Sequence, residues 1–310
     1  MMRTLRIGIH TSISGSLEGA ALKAAALGAN TFQIFSSSPR MWRASIPRGA
    51  DIRLLQQARA RHDLAPLVIH DNYLINLAAA DEIVRLKSID AFRSELERTA
   101  AIGAEYLVAH PGSYKGQSLE QGLKTFAESL AKAACGLNTG GVTLLLECTA
   151  GAGASLGGRF EELAALRELA LQVANLPVGY CLDTCHLFVA GYDVSSAEGL
   201  RRTIAEADRI LDLSNVPVIH ANDSKGALGS HLDRHEDIGE GYIGAEGFSR
   251  ILAHPKLSGK AFILETPFDN EGDDLRNVEK LKEISRRTLG EVQAGSRPKN
   301  SRRARWCANK

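Results

Sequence analysis

The chain has 310 residues, enough for one large α/β barrel or two ordinary domains. A composition of 44% hydrophobic and 24% charged residues is that of a soluble folded protein, and no apolar stretch approaches the roughly 18 residues of a membrane span. The formal charge of +1 hides an asymmetry, because six Lys or Arg residues and no acid lie between Gly295 and Lys310, which leaves the rest of the chain net acidic. An acidic body that handles nucleic acid needs bound cations to do so.

The start, MMRTLRIGIH, enters a short strand with no secretory signal, so the chain reads as cytoplasmic. The five cysteines (Cys135, Cys148, Cys181, Cys185 and Cys307) then read as reduced thiols, with Cys181 and Cys185 serving as packing groups.

The first apolar run, LRIGIH (5–10), ends on His10 and is followed by the helical pattern SLEGAALKAAALGA (16–29). The second, NTFQIF (30–35), leads through SSSPRMW to ADIRLLQQARARHDL (50–64). The third, PLVIH (66–70), stops at His70 and precedes SIDAFRSELERTAAIGA (88–104). The fourth, EYLVAH (105–110), stops at His110 before SLEQGLKTFAESLAKAACGL (118–137). The fifth, VTLLLE (142–147), stops at Glu147 before RFEELAALRELALQVA (159–174). The sixth, VGYCLD (178–183), stops at Asp183, with AEGLRRTIAEADRIL (197–211) beyond it. The seventh, VPVIH (216–220), stops at His220, and the eighth, KAFILE (260–265), stops at Glu265 before DDLRNVEKLKEISRRTLG (273–290).

Continuous rather than alternating hydrophobicity fits strands covered on both faces, and eight such runs in succession, seven of them followed by a helical pattern, favour closure into a TIM-type (β/α)8 barrel. No linker divides the body, so residues 1–290 read as one catalytic barrel and 291–310 as a basic, disordered C-terminal tail. In such a barrel every strand delivers its carboxyl end to one rim, which explains why apolar runs stop at imidazoles and carboxylates.

Six strand ends thus supply His70, His110, Glu147, Asp183, His220 and Glu265, and two loops add His186 from DTCH and Asp233 with His235 from DRH. Nine donors exceed what one ion takes, and three ions are the natural partition. Imidazole and carboxylate without converging thiolates suit zinc and tolerate manganese or iron. Asp233 and His235 alternate around Arg234, so they can point to the same side. His10 is expected beside the donors and not among them, while His62, His231 and His254 read as surface or loop groups.

Taken together, HTSISGS, FSSSPRMW, HDNYLINL, AHPGS, LLLECTAGAG, CLDTCHLFVAGYD, HANDSK, DRHEDIGEGYIG and FILETP resemble the endonuclease IV family of apurinic/apyrimidinic (AP) endonucleases, over residues 5–285. The resemblance implies a TIM barrel with three zinc ions that hydrolyses DNA 5′ to an abasic site, leaving a 3′-hydroxyl and a 5′-deoxyribose phosphate. It also implies removal of 3′-blocking groups. By the same resemblance His70 and His110 bind one ion, Asp183, His220 and Glu265 a second, and Glu147 bridges the two. His186, Asp233 and His235 hold the third. Glu147 and Glu265 are the expected catalytic carboxylates, positioned to orient the attacking water. Arg40, Tyr73 and Leu74 match the family's DNA-probing loops, where a guanidinium and a wedge can enter a base stack already missing a base. Lys225 is expected on a flanking phosphate. The expected partner is double-stranded DNA containing abasic sites or 3′-blocked ends, bound by a monomer with no membrane involvement. A sugar isomerase or epimerase and a noncatalytic damage-binding module are the rival readings.

Overall fold

Leu67–His70 is buried at all four positions and Val178–Asp183 at all six, a pattern that requires cover on both faces of a strand. In the computed structural model, which describes residues 5–295, eight such strands pair in parallel and close on themselves. The strands are β1 (Arg6–His10), β2 (Thr31–Phe35), β3 (Leu67–His70), β4 (Tyr106–Ala109), β5 (Thr143–Glu147), β6 (Val178–Asp183) and β7 (Val218–His220). A two-stranded ribbon, β8 (Asp223–Ser224) with β9 (His235–Glu236), stands outside the barrel, and β10 (Ala261–Leu264) closes it against β1. The expected TIM-type (β/α)8 barrel is therefore the fold.

The helices are α1 (Leu17–Ala26), α2 (Gly49–His62), α3 (Glu82–Ile102), α4 (Leu119–Ala134), α5 (Phe160–Val173), α6 (Thr184–Ala190), α7 (Ala197–Leu211), α8 (Gly244–Ala253) and α9 (Asp273–Gly295). Ser16, Asp81, Ser118 and Ser196 each accept a hydrogen bond from the amide three residues on, which places the starts of α1, α3, α4 and α7. α3 begins six residues before the expected segment, because residues 82–87 form an exposed first turn and a half with no buried stripe to read. The helical patterns of the sequence do not include α6 or α8. α6 starts inside an apolar run, capped by the Asp183 carboxylate, and α8 opens with Gly244 and has no side-chain cap.

The tail read from residue 291 meets the described structure only where α9 continues to Gly295; residues 296–310 lie outside it. No helix among the described residues is long and apolar enough to cross a membrane.

Val68, Val108, Leu145, Cys181, Val218 and Ile263 form a buried cluster distinct from the larger core that the helices share with the outer strand faces. This cluster plugs the barrel. Because strand side chains alternate with a period of two, the next inward position on the same six strands is His70, His110, Glu147, Asp183, His220 and Glu265. β1 and β2 complete that layer with His10 and Gln33, which are register partners. One layer below, Gly8 allows β1 to approach β2, since a Cβ there would lie 2.0 Å from the Thr31 carbonyl oxygen.

Candidate metal centre

Glu147 is wholly buried and sits at the middle of the layer. Its Oε1 lies 2.8 Å from His220 Nδ1 and 3.5 Å from His186 Nδ1, and its Oε2 lies 3.1 Å from His70 Nε2 and 3.4 Å from His110 Nε2. One carboxylate thus faces four imidazoles. Asp183 turns Oδ1 back to its own helix, accepting from the His186 amide at 2.8 Å, while Oδ2 accepts from Asn222 Nδ2 at 2.6 Å. Asp233 Oδ1 lies 3.2 Å from His186 Nε2 and 3.6 Å from His235 Nε2, so Asp233 and His235 do face the same side.

Main-chain carbonyls orient three of the rings. Nδ1–H of His70 donates to Asp71 O at 2.9 Å, that of His186 to Cys148 O at 2.9 Å, and that of His235 to Glu265 O at 3.0 Å. Each turns Nε2 toward the other donors, which is how a protein orients a metal-ligating histidine. His235 Nε2 is buried and has no hydrogen-bond partner. An unpaired buried acceptor 3.6 Å from one carboxylate and 3.8 Å from another is what a cation between them would satisfy.

The donor atoms of His70, His110 and Glu147 lie within 4.8 Å of one another, as do those of Glu147, Asp183, His220 and Glu265, and those of Asp183, His186 and His235. Donors each about 2.0–2.2 Å from one zinc ion span at most about 4.4 Å, so the spacing and the nitrogen–oxygen chemistry fit divalent metal ions. Cys185 groups with Asp233 and His235 in the same way, but burial pushes its thiol up to about 12 and its Sγ is turned to the Arg234 carbonyl. Packing, as expected from its sequence context, accounts for it.

The electrostatics follow from crowding. Burial disfavours a charged His70, yet the Glu147 carboxylate overrides it and raises the ring to about 10. His110 goes down, because burial is reinforced by the neighbouring imidazoles of His70 and His186. Burial acts against the Glu265 carboxylate too, but the imidazoles of His220, His70 and His235 together more than compensate, bringing it to about 2. The hydrogen bond with His186 holds Asp233 at about 2. His10 is pushed down to about 4 by burial. These groups hold and share protons without ions, and ion binding displaces them.

A cleft of about 1060 Å³ opens over the centre, with His70, His110, His186, Asp233, His235 and Glu265 in its wall. Tyr73 also lines it, 70% exposed, its ring 5.2 Å edge-on from Phe35. Leu74 is half-buried behind it, its amide donating to Asn72 Oδ1. Arg40 is exposed in the turn after β2, next to Pro39 of the cleft wall. Lys225 is the outlier: it directly follows β8, with Nζ 3.9 Å from the Glu236 carboxylate, and it does not line the cleft.

Sequence reasoning passed over Gln33 and Asn222. Gln33 links Glu265, His10 and His220, and Asn222 links Asp183 with the Glu265 backbone amide. A polar residue in the middle of the apolar run NTFQIF was the available signal for the first.

A closed parallel barrel carrying overlapping His, Asp and Glu groups at its carboxyl rim defines a TIM-barrel protein with side-chain clusters able to hold metal ions. The description of xylose isomerase-like TIM barrels matches residues 21–288. More narrowly, the chain belongs to the endonuclease IV family. It is 59% identical over 281 residues to a probable endonuclease 4 of Solibacter usitatus, covering 91% of this chain and 97% of that one. The crystal structure of endonuclease IV from Thermus thermophilus superimposes with a TM-score of 0.79 at 40% identity, covering 92% of this chain and 99% of the other. A D-tagatose 3-epimerase-like protein, TM-score 0.68 over 93% of this chain and 100% of its own, is 20% identical and shares the fold alone.

Proposed function

We propose that this chain is a DNA-repair AP endonuclease that hydrolyses the phosphodiester 5′ to an abasic site, leaving a 3′-hydroxyl and a 5′-deoxyribose phosphate, and that it also removes 3′-blocking groups. The observation that carries this reading is the grouping of nine His, Asp and Glu donors, Glu147 among them and six of them in the wall of one open cleft, in a chain of the endonuclease IV family.

His70, His110 and Glu147 would hold one ion, Glu147, Asp183, His220 and Glu265 a second, and His186, Asp233 and His235 a third. Zinc suits these donors, with manganese or iron at some positions. When bound, such ions supply Lewis acidity to a phosphate oxygen and lower the pKa of water from about 15.7 toward 7. The chain's own residues do the placing. Glu147, with 1% side-chain exposure, orients the donors from below, whereas Glu265, at 20%, reaches the cleft and can take the proton of the attacking water on its carboxylate. Three divalent ions outweigh the four carboxylates among the donors, so the rim attracts a phosphodiester although the body is acidic. Tyr73, Leu74 and Arg40 are assigned to the gap left by the missing base, where unstacking costs least. Lys225 remains assigned to a flanking phosphate, which requires it to leave Glu236.

The test is incision of a duplex with one abasic site by the purified protein, together with metal analysis. Incision that chelation abolishes and zinc restores, with three ions per chain, is the expected result. A sugar epimerase would ignore the duplex, and a binding module would retain it uncut; either outcome overturns the reading.

A further inference from the structure

Eight inward positions ring the barrel mouth, and seven carry an imidazole or a carboxylate. The eighth, on β2, is Gln33, and it is fully buried. Its Nε2 lies 2.5 Å from Glu265 Oε1 and 3.1 Å from His10 Nδ1, and its Oε1 lies 2.9 Å from His220 Nε2. The carboxamide can take only one orientation. A carboxylate accepts and does not donate, so the NH2 faces Glu265, its second hydrogen meets His10 Nδ1, and the oxygen is left for His220. His220 must then carry a proton on Nε2.

His70, His186 and His235 reach the donor cluster through Nε2 and are pinned through Nδ1–H on main-chain carbonyls. His220 is reversed. Its Nδ1 faces Glu147 Oε1 at 2.8 Å and Glu265 Oε2 at 3.2 Å, and its outer nitrogen meets the side chain of Gln33. The same amide draws Glu265 Oε1 aside, so that Oε2 is the oxygen turned to His220.

We propose that Gln33 is a positioning residue of the metal centre: in the zinc-loaded protein it fixes His220 as the Nε2–H tautomer, and it selects which Glu265 oxygen is turned toward His220 Nδ1. The proposal rests on the metal-centre reading above. An orienting partner of this kind typically contributes about 10–100-fold to metal affinity or activity.

Two measurements test it. In zinc-loaded wild-type protein labelled with 15N-histidine, long-range proton–nitrogen correlations should place the His220 proton on Nε2. The nearly isosteric Gln33→Leu variant should lose one zinc ion per chain to a competing chelator at about 10–100-fold lower chelator concentration than wild type. Its kcat on an abasic duplex should fall by a similar factor while KM stays within about twofold, since the amide acts on ion placement and not on DNA contact. A proton on His220 Nδ1 overturns the proposal, as does a folded Gln33→Leu protein with wild-type zinc retention. If Gln33→Leu fails to fold, the wild-type tautomer decides alone. Wild-type protein that binds no zinc overturns the underlying reading instead, so the two failures are distinct.

Discussion

His220 Nδ1 and Glu147 Oε1 meet at 2.8 Å although 73 residues separate them, and they reach the contact from β7 and β5, strands that are not neighbours in the barrel. Glu147 therefore lies beneath the cleft, while Glu265, 3.2 Å from His220 Nδ1, is in the cleft wall.

Glu265→Gln should lower kcat on an abasic duplex about 10²–10⁴-fold, the range for loss of a general base, with binding of the duplex retained within a few-fold. Steady-state incision and an equilibrium binding assay on the same oligonucleotide separate the two. Near-normal turnover would refute the proton-handling role.

Beneath the loop that bears Arg40, the Arg98 guanidinium pairs with Glu95 at 2.6 Å, both side chains no more than 4% exposed, and it also donates to Ser36 Oγ and the Ala44 carbonyl. Arg98→Ala leaves Glu95 buried and unpaired, at a cost of about 3–5 kcal/mol. Urea denaturation measures this. Replacing both residues with leucine should recover much of the loss; a double variant as unstable as the single one would contradict the account.

Tyr73→Ala removes an exposed ring whose contacts are to Phe35 and His70. Stability should change by no more than about 0.5 kcal/mol. Binding to an abasic duplex should weaken by about 1–3 kcal/mol, the worth of one base-stacking contact, and binding to an intact duplex should weaken less. Fluorescence anisotropy on the two duplexes decides it, and equal losses would assign Tyr73 to general DNA contact.

Asp193 braces the start of α7. Burial works against its carboxylate, but hydrogen bonds from the Ser196 and Ser195 hydroxyls and amides hold it at about 2. The folded value lies below the unfolded one of about 3.9, so the stabilisation is complete above about pH 4 and is lost as pH falls toward about 2. Asp193→Asn should cost about 1 kcal/mol at about pH 7 and less at about pH 3. Urea midpoints at both pH values check this, and a pH-independent difference would rule it out. Gly199, where a Cβ would fall 2.0 Å from Asp193 Oδ2, shows how closely the carboxylate is packed.

Much of this arrangement was legible in the chain. Apolar runs ending in His70, His110, Glu147, Asp183, His220 and Glu265 report their own strand and its polarity, because a strand needs only a period of two and cover on both faces to be recognised. The Cys181 plug and the pairing of Asp233 with His235 follow from the same alternation. Other features required closure. Ile9 pairs with Leu264 across almost the whole chain, and only that contact brings β1 and β2 beside β10 and β7, so that Gln33 can touch Glu265 and His220. The cap that starts α6, the β8–β9 ribbon and the placement of Lys225 beside Glu236 are likewise products of the folded neighbourhood. Composition and periodicity thus determined the barrel and the residue types at its rim, each being a property of a local segment. Which nitrogen, which oxygen and which amide face one another was decided by tertiary structure, because hydrogen-bond geometry depends on partners that sequence distance does not encode.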